Sequence, residues 1–246
     1  EAPEGELPPL IVNVHGGPTS SVRPGLQVPF QYWTSRGFAV LDVNFRGSTS
    51  FGRPYRERLN GNWGVMDVQD CIDGAQYLID LGRVDPRRIA IRGRSSGGFT
   101  VLNALASSNV FTAGASFSGI ADLAKLAETS HKFESYYDGI LLGTFDTSDP
   151  VWAERSPINH VAEITAPLLL LQGTADPVVP ASQAQEMYEA LCANGSAVAL
   201  KLYEGEGHRF RSAINIKDAL LSELAFYRTV WGIDTDNPVH VEIANL

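Results

Sequence analysis

The chain has 246 residues, with 19 Lys and Arg against 28 Asp and Glu, and its formal net charge is −9. With 44% hydrophobic and 19% charged residues, the composition excludes intrinsic disorder, and the length suits one large α/β core or such a core with a small insertion. The acidic balance argues against nucleic acid or an anionic membrane as a partner, and the longest aliphatic run, Leu168 to Leu171, is far shorter than the ~20 residues that cross a bilayer.

Six short apolar runs predict buried strands, and the first two are rich in β-branched residues and closed by Gly. In chain order the predicted strands are residues 10–14, 38–44, 88–92, 113–117, 168–172 and 197–203. The predicted helices are residues 65–81, 96 to about 107, 181 to about 193, and 214–231. Strands that alternate with helices predict an α/β fold, with a mostly parallel central sheet and helices on both faces.

The alternation stops between residues 120 and 167, where aromatic and acidic segments take over. We expect a short insertion over the C-terminal edge of the sheet rather than a separate domain. Residues 1–246 are therefore predicted to form a single domain with an insertion at about 120–167.

The strongest chemical signal is a serine between a predicted strand and a predicted helix. Ser95 closely follows the strand that ends at Arg92, and Gly93 and Gly97 lie two residues to either side. Glycines lack the Cβ atoms that would collide in a sharp strand-to-helix turn, and such a turn exposes the serine hydroxyl as a nucleophile. The unpaired backbone N–H of Ser96 at the helix start can stabilise an oxyanion beside it.

An acid and a histidine follow the last two predicted strands. Asp176 lies in the loop after the fifth strand, and His208 lies in the loop after the sixth. In an open parallel sheet the C-terminal ends of the strands lie on one edge, so Ser95, Asp176 and His208 are expected to converge there. Each of the last two also has a structural interpretation, Asp176 as a turn former before Pro177 and His208 as a surface histidine.

Seven motifs between about residue 8 and residue 231 carry a family resemblance. They are His15-Gly16-Gly17-Pro18, Asn44-Phe45-Arg46-Gly47-Ser48-Thr49-Ser50-Phe51-Gly52, Trp63-Gly64 with Asp67, the Ser95 turn, Ser156-Pro157-Ile158, the Asp176 loop, and Gly205-Glu206-Gly207-His208. Together they resemble the catalytic domain of the prolyl oligopeptidase family of serine peptidases, nearest to its bacterial acylaminoacyl-peptidase and dipeptidyl-peptidase-like members. The resemblance implies an α/β-hydrolase fold, a catalytic triad of Ser95, His208 and Asp176, a peptide or small acyl substrate, and no cofactor.

Two departures from the family pattern bear on activity. Family members usually carry a tyrosine at the position of Phe51, and its hydroxyl is the second oxyanion donor. Phe cannot donate a hydrogen bond, so either turnover is lower or another group takes over, with a backbone N–H near Gly17 as the candidate. The family also carries an N-terminal β-propeller that this chain lacks, so we expect either a fragment of a longer protein or a free-standing hydrolase.

Four further residues are candidates for substrate binding. Arg94, next to the nucleophile, either clamps a substrate carboxylate or pairs with a nearby acid. Glu134, Tyr136 and Tyr137 lie in the insertion, where they either bind a substrate amine or serve ordinary packing and surface charge. His15 belongs to the turn that lines the oxyanion region, and we expect it to make a structural hydrogen bond.

These observations predict a serine peptidase that acts on short peptides through an acyl-enzyme. The alternatives are a carboxylesterase, because an ester tolerates a weaker oxyanion hole, and a non-catalytic binding protein with the same fold. Cys71 and Cys192 are expected to be small buried or half-buried side chains rather than a disulfide. No metal spacing is present, the acidic N-terminus without a secretory signal predicts a cytoplasmic protein, and the oligomeric state, a homo-oligomer included, stays open.

Overall fold

The parallel sheet predicted from the sequence is present. The computed structural model describes residues 5–129, 136–233 and 239–246, and within these ranges six strands form one parallel sheet in the order β2-β1-β3-β4-β5-β6. The strands are β1 (Leu10–Val14), β2 (Ala39–Val43), β3 (Ile89–Arg94), β4 (Ala113–Phe117), β5 (Leu168–Gly173) and β6 (Val198–Tyr203). Every boundary lies within two residues of its predicted position.

The four long helices predicted from the sequence are also present, and shorter ones lie between them. The helices of the described ranges are α1 (Val28–Thr34), α2 (Arg53–Arg56), α3 (Met66–Asp80), α4 (Ser96–Ser107), α5 (Leu123–Thr129), α6 (Tyr137–Leu142), α7 (Pro150–Arg155), α8 (Ala181–Asn194) and α9 (Ala213–Val230), with 3-10 helices at Glu57–Leu59 and Pro157–Glu163.

The two faces of the sheet are buried in two separate hydrophobic clusters. Because side chains alternate along a strand, Leu10 and Val12 of β1 point to one face and Ile11 points to the other. The first face packs against α3, α4 and α8. The second packs against α1 and α9, with Trp33 and Tyr227 fully buried there. This confirms the helix layers predicted on both faces.

The segment between β4 and β5 packs onto the first of these clusters. Leu123 of α5, Leu141 of α6 and Trp152 of α7 are all buried and share one hydrophobic cluster with α4. These buried residues of the segment are therefore continuous with the core on the first face of the sheet.

Both cysteines lie on helices as expected. Cys71 is buried in α3, Cys192 is half-buried in α8, and neither forms a disulfide. None of the helices in the described part of the chain has the length and apolar character that a membrane span requires.

Candidate active site

Ser95 occupies a strained turn between β3 and α4. Its φ of 59° and ψ of −126° lie in a region that L residues rarely adopt. A Cβ on Gly93 would lie 2.4 Å from the Gly97 carbonyl oxygen, and one on Gly97 would lie 2.4 Å from the Val14 carbonyl oxygen. These contacts confirm that the two glycines are required for the turn, which leaves Ser95 partly exposed at the sheet edge.

Asp176 and His208 form a hydrogen-bonded pair at the ends of β5 and β6. His208 Nδ1 lies 2.8 Å from Asp176 Oδ2. The backbone N–H groups of Val178 and Val179 donate to Asp176 Oδ1 at 2.9 and 3.0 Å. Burial alone would raise the pKa of Asp176, but the His208 and backbone hydrogen bonds lower it below its usual value. An ionised carboxylate accepts the Nδ1 proton and leaves His208 Nε2 as an acceptor.

Arg94 connects the His208 loop to the serine turn. Its Nη1 donates to the His208 carbonyl oxygen at 3.0 Å, so the His208 main chain lies beside the residue that precedes Ser95. Within the described residues Arg94 makes no salt bridge, and Asp176 and Glu223 act on its charge only from a greater distance. No hydrogen bond joins Ser95 Oγ to a described residue, and such bonds are often long in a free enzyme.

The first oxyanion candidate, Ser96, is the first residue of α4, where the backbone N–H groups lack helical partners. A Cβ on Gly16 would lie 3.5 Å from Ser95 Cβ, so the turn that contains Gly16 and Gly17 lies against the serine. Gly17 is exposed and has a φ of 130°. The N–H groups near both Ser96 and Gly17 are therefore candidates to face an oxyanion beside Ser95.

The Phe51 ring lies outside the buried part of the site. It is 55% exposed and packs on Tyr55 with 5.3 Å between ring centroids. The Tyr55 hydroxyl donates to the Asn44 carbonyl oxygen at 2.9 Å, so the neighbouring tyrosine already has a hydrogen-bond acceptor. Phe51 itself has no donor to offer an oxyanion.

A buried network supports Ser96 from below, and the sequence did not reveal its role. Trp63 Nε1 donates to Ser96 Oγ at 3.0 Å, and Thr100 Oγ1 lies 3.1 Å from the Ser96 carbonyl oxygen. The same Thr100 hydroxyl donates to Asp67 at 2.5 Å, and the N–H of Gly64 donates to Asp67 at 2.7 Å. Burial raises the pKa of Asp67 to about 6. The sequence analysis identified Trp63-Gly64 and Asp67 as one of the motifs of the family resemblance, but it assigned no role to them.

The substrate-binding candidates of the insertion divide into three cases. Tyr137 accepts a hydrogen bond from the Thr19 N–H at 3.1 Å and also bonds the Thr19 hydroxyl, which brings it to the turn after Pro18. Tyr136 is 72% exposed and packs edge-on against Phe145. Glu134 lies outside the described residues.

His15 makes the structural contacts expected of it. Its Nε2 lies 2.8 Å from Ser48 Oγ, and its ring stacks on Phe45. Burial lowers its pKa, partly offset by a hydrogen bond with Gly16. Across the three described ranges, no cluster of three or more His, Cys, Asp or Glu side chains could hold a metal ion.

A six-stranded parallel sheet with a strained serine between a strand and a helix, and an Asp–His pair at the ends of two later strands, defines the α/β-hydrolase fold. The chain matches the model of the prolyl oligopeptidase family over residues 24–234. It belongs to that family, as the sequence motifs implied.

Three relatives illustrate the similarity. Dipeptidyl aminopeptidase BIII of Pseudoxanthomonas mexicana is 33% identical over 85% of this chain and 31% of its own length. The human acylamino-acid-releasing enzyme is 31% identical over 94% of this chain and 32% of its own. The structure of a Mycobacterium tuberculosis puromycin-hydrolyzing peptidase superposes with a TM-score of 0.94 at 47% identity, covering 98% of this chain and 37% of that one. The chain thus spans about a third of the length of the relatives it matches.

Proposed function

We propose that this chain is the catalytic part of a serine peptidase that hydrolyses short peptides through an acyl-enzyme on Ser95. One observation carries the proposal. The strained turn at Ser95 is tied, through Arg94, to a histidine that is hydrogen-bonded to an ionised aspartate. This combination suits acyl transfer, because a serine hydroxyl is a poor nucleophile without an oriented base.

The proposed chemistry follows from the acid–base properties of these groups. Ser95 Oγ attacks the substrate carbonyl carbon while His208 Nε2 takes the hydroxyl proton, and Asp176 stabilises the imidazolium that forms. The N–H of Ser96 donates to the oxyanion, assisted by an N–H near Gly17. His208 then gives the proton to the leaving amine, and water hydrolyses the acyl-enzyme by the same steps.

The direct test is covalent labelling with an organophosphonate probe followed by peptide mass spectrometry. We expect one adduct on Ser95, none in Ser95→Ala, and full labelling in Ser107→Ala, which removes an exposed serine at the other end of the same helix. Asp176→Asn should slow labelling by about 10⁴-fold, because the imidazole would lose its tautomer control. A folded wild-type chain without an adduct would support the non-catalytic alternative instead.

A carboxylesterase is the second candidate, and Phe51 is the observation that favours it. An ester has a better leaving group than an amide, so it needs less oxyanion stabilisation. The distinguishing measurement compares a p-nitrophenyl ester with amino-acyl and N-acyl-amino-acyl p-nitroanilides, with puromycin included because one relative is described as hydrolysing it. Cleavage of the anilides supports the peptidase, whereas ester cleavage alone supports the esterase.

The substrates of the whole protein are part of the same proposal. Names of relatives suggest dipeptides at a free amino end, N-acylated amino acids or puromycin as substrates. We further propose that the described elements form one catalytic domain with the insertion packed on it, and that Tyr136, Tyr137 and Glu134 border the substrate. A β-propeller partner domain, a cytoplasmic location and a homo-oligomer stay predictions.

A further inference from the structure

Arg94 is held in an unusual position for a charged side chain. Its guanidinium lies 5.2 Å from the ring centroid of Phe117 and 5.1 Å from that of Phe210. Its Nη1 donates to the His208 carbonyl oxygen at 3.0 Å. It also lines a cavity of about 720 Å³ together with Arg209. The side chain therefore contacts the main chain of one candidate catalytic residue and directly precedes another.

Arg94 has no direct counter-ion among the described residues, in contrast to its neighbour two residues earlier. Arg92 forms an ion pair with the buried Glu223, with 2.7 Å between Nε and Oε1. Partial burial, with Arg92 and Arg209 nearby, lowers the pKa of Arg94 to about 10, and the more distant charges of Asp176 and Glu223 oppose this shift. At neutral pH Arg94 stays charged, so the fold keeps a half-buried cation whose direct contacts are two aromatic rings and one carbonyl.

The His208 loop is anchored next to the histidine, and the Arg94 bond adds a contact to the main chain of the histidine itself. Two residues earlier, the Glu206 carboxylate accepts a hydrogen bond from the Arg211 N–H at 2.7 Å, and the Glu206 carbonyl oxygen accepts one from the Ala175 N–H at 2.9 Å. The aspartate holds the imidazole at Nδ1. The Arg94 bond holds the main chain of the same residue and joins it to the serine turn.

We propose that Arg94 is a positioning residue that fixes the His208 main chain relative to the Ser95 turn. The inference rests on the proposed function, because it assigns Arg94 to the alignment of the base and the nucleophile. It replaces the interpretation in which Arg94 clamps a substrate carboxylate. Arg94 directly precedes Ser95 in the chain and is hydrogen-bonded to the His208 main chain. The position of the His208 loop is therefore coupled to the position of the nucleophile.

The two roles of Arg94 predict different kinetics. Misalignment of the base lowers kcat for every substrate, whatever its charge, because a displacement of about 1 Å can cost roughly 10²-fold. Loss of a carboxylate clamp raises KM, and only for substrates that carry a free carboxylate. The split between kcat and KM therefore separates them.

The experiment uses the 246-residue chain with three substitutions. Arg94→Met keeps an unbranched stem between the two rings but has no donor, and Arg94→Lys keeps the charge and one donor group. Arg209→Met is the matched control, since Arg209 is an exposed cation on the same cavity. For each variant, kcat and KM are measured against pH with a neutral ester and with a substrate that ends in a free carboxylate.

We expect Arg94→Met to lower kcat about 10- to 100-fold on both substrates, with KM changed by less than about twofold. Arg94→Lys should recover part of kcat, and Arg209→Met should match the wild type within about twofold. The thermal unfolding temperature of each variant is measured in parallel. If Arg94→Met does not fold, a folded Arg94→Lys with reduced kcat supports the inference, and one with unchanged kcat contradicts it.

Two results overturn the inference while the proposed function stands. One is an active wild type with unchanged kcat in folded Arg94 variants, and the other is a rise in KM confined to the carboxylate-bearing substrate. A wild-type chain that is neither labelled at Ser95 nor active on any substrate removes the proposed function, and this inference with it.

Discussion

Phe51 stands where family members usually have a tyrosine. The exposure of its ring leaves room for the missing hydroxyl. Phe51 is 55% exposed, so an added hydroxyl meets little steric resistance. We expect Phe51→Tyr to raise kcat on an anilide by up to about 10²-fold, since one oxyanion donor typically contributes that much.

The matched control is Tyr55→Phe, which removes a hydroxyl from the adjoining ring that already donates to the Asn44 carbonyl oxygen. It should produce no gain in kcat. If kcat is unchanged in Phe51→Tyr, the oxyanion hole is already complete, and the turn at Gly16 and Gly17 becomes the source of the second donor.

At the level of single residues, the sequence predicted the site where a residue with suitable chemistry follows a predicted strand. Ser95 follows β3 directly, and Asp176 and His208 lie in the loops after β5 and β6. The Asp176–His208 hydrogen bond could be expected from that placement. The bond from Arg94 to the His208 carbonyl joins residues 114 positions apart. Because every residue except proline offers the same backbone groups, no residue type marks such a contact in a sequence.

Among the elements, the strands were predictable as short apolar runs, and α3 was predictable because its apolar residues repeat at three and four positions. The short helices α1, α6 and α7, of 7, 6 and 6 residues, complete fewer than two turns and show too few repeats for a period to be recognised. Their positions are set by packing on the core, which the local sequence does not encode. For the same reason the contact between Tyr137 and Thr19 could not be anticipated.

The junction of α3 and α4 gives a prediction that depends on pH. Asp67 is fully buried, and its pKa rises from 3.8 to about 6. A carboxyl with a raised pKa in the folded state binds a proton that the unfolded chain has already lost, so it stabilises the fold at low pH. That contribution, about 3 kcal/mol, is lost as the pH rises from about 4 through 6.

Asp67→Asn removes this titration and keeps groups that can bond Thr100 and Gly64. The free energy of unfolding, measured with denaturant from pH 4 to pH 7, should fall in the wild type relative to the variant by roughly that amount. Asp73→Asn, on the exposed face of the same helix, should follow the wild type. Parallel curves for wild type and Asp67→Asn would show that Asp67 does not titrate in this range.

For the whole molecule, one ion pair ties the sheet to the helix layer on its second face. Arg92 on β3 and Glu223 on α9 are joined by two hydrogen bonds at 2.7 and 3.1 Å, and the Glu223 side chain is 0% exposed. Glu223→Gln should destabilise the protein by about 3 kcal/mol, because it leaves a buried guanidinium without its counter-charge.

The exposed pair of Lys125 and Glu186 provides the control, and Glu186→Gln should cost less than about 1 kcal/mol. A double-mutant cycle with Arg92→Met measures the coupling between Arg92 and Glu223. Additive losses, without a coupling of at least about 0.5 kcal/mol, would mean that the pair acts through packing alone.

The strand order determines when the candidate catalytic residues come together during folding. β3, which precedes Ser95, and β6, which precedes His208, are separated in the sheet by β4 and β5, so the two strands lie about 14 Å apart. The turn at Ser95 can form from neighbouring segments of the chain. His208 reaches the site only when the edge strand β6 docks onto β5. Recovery of catalysis on refolding should therefore require that β6 has docked, and a growing chain should remain inert until its C-terminal third has joined the rest.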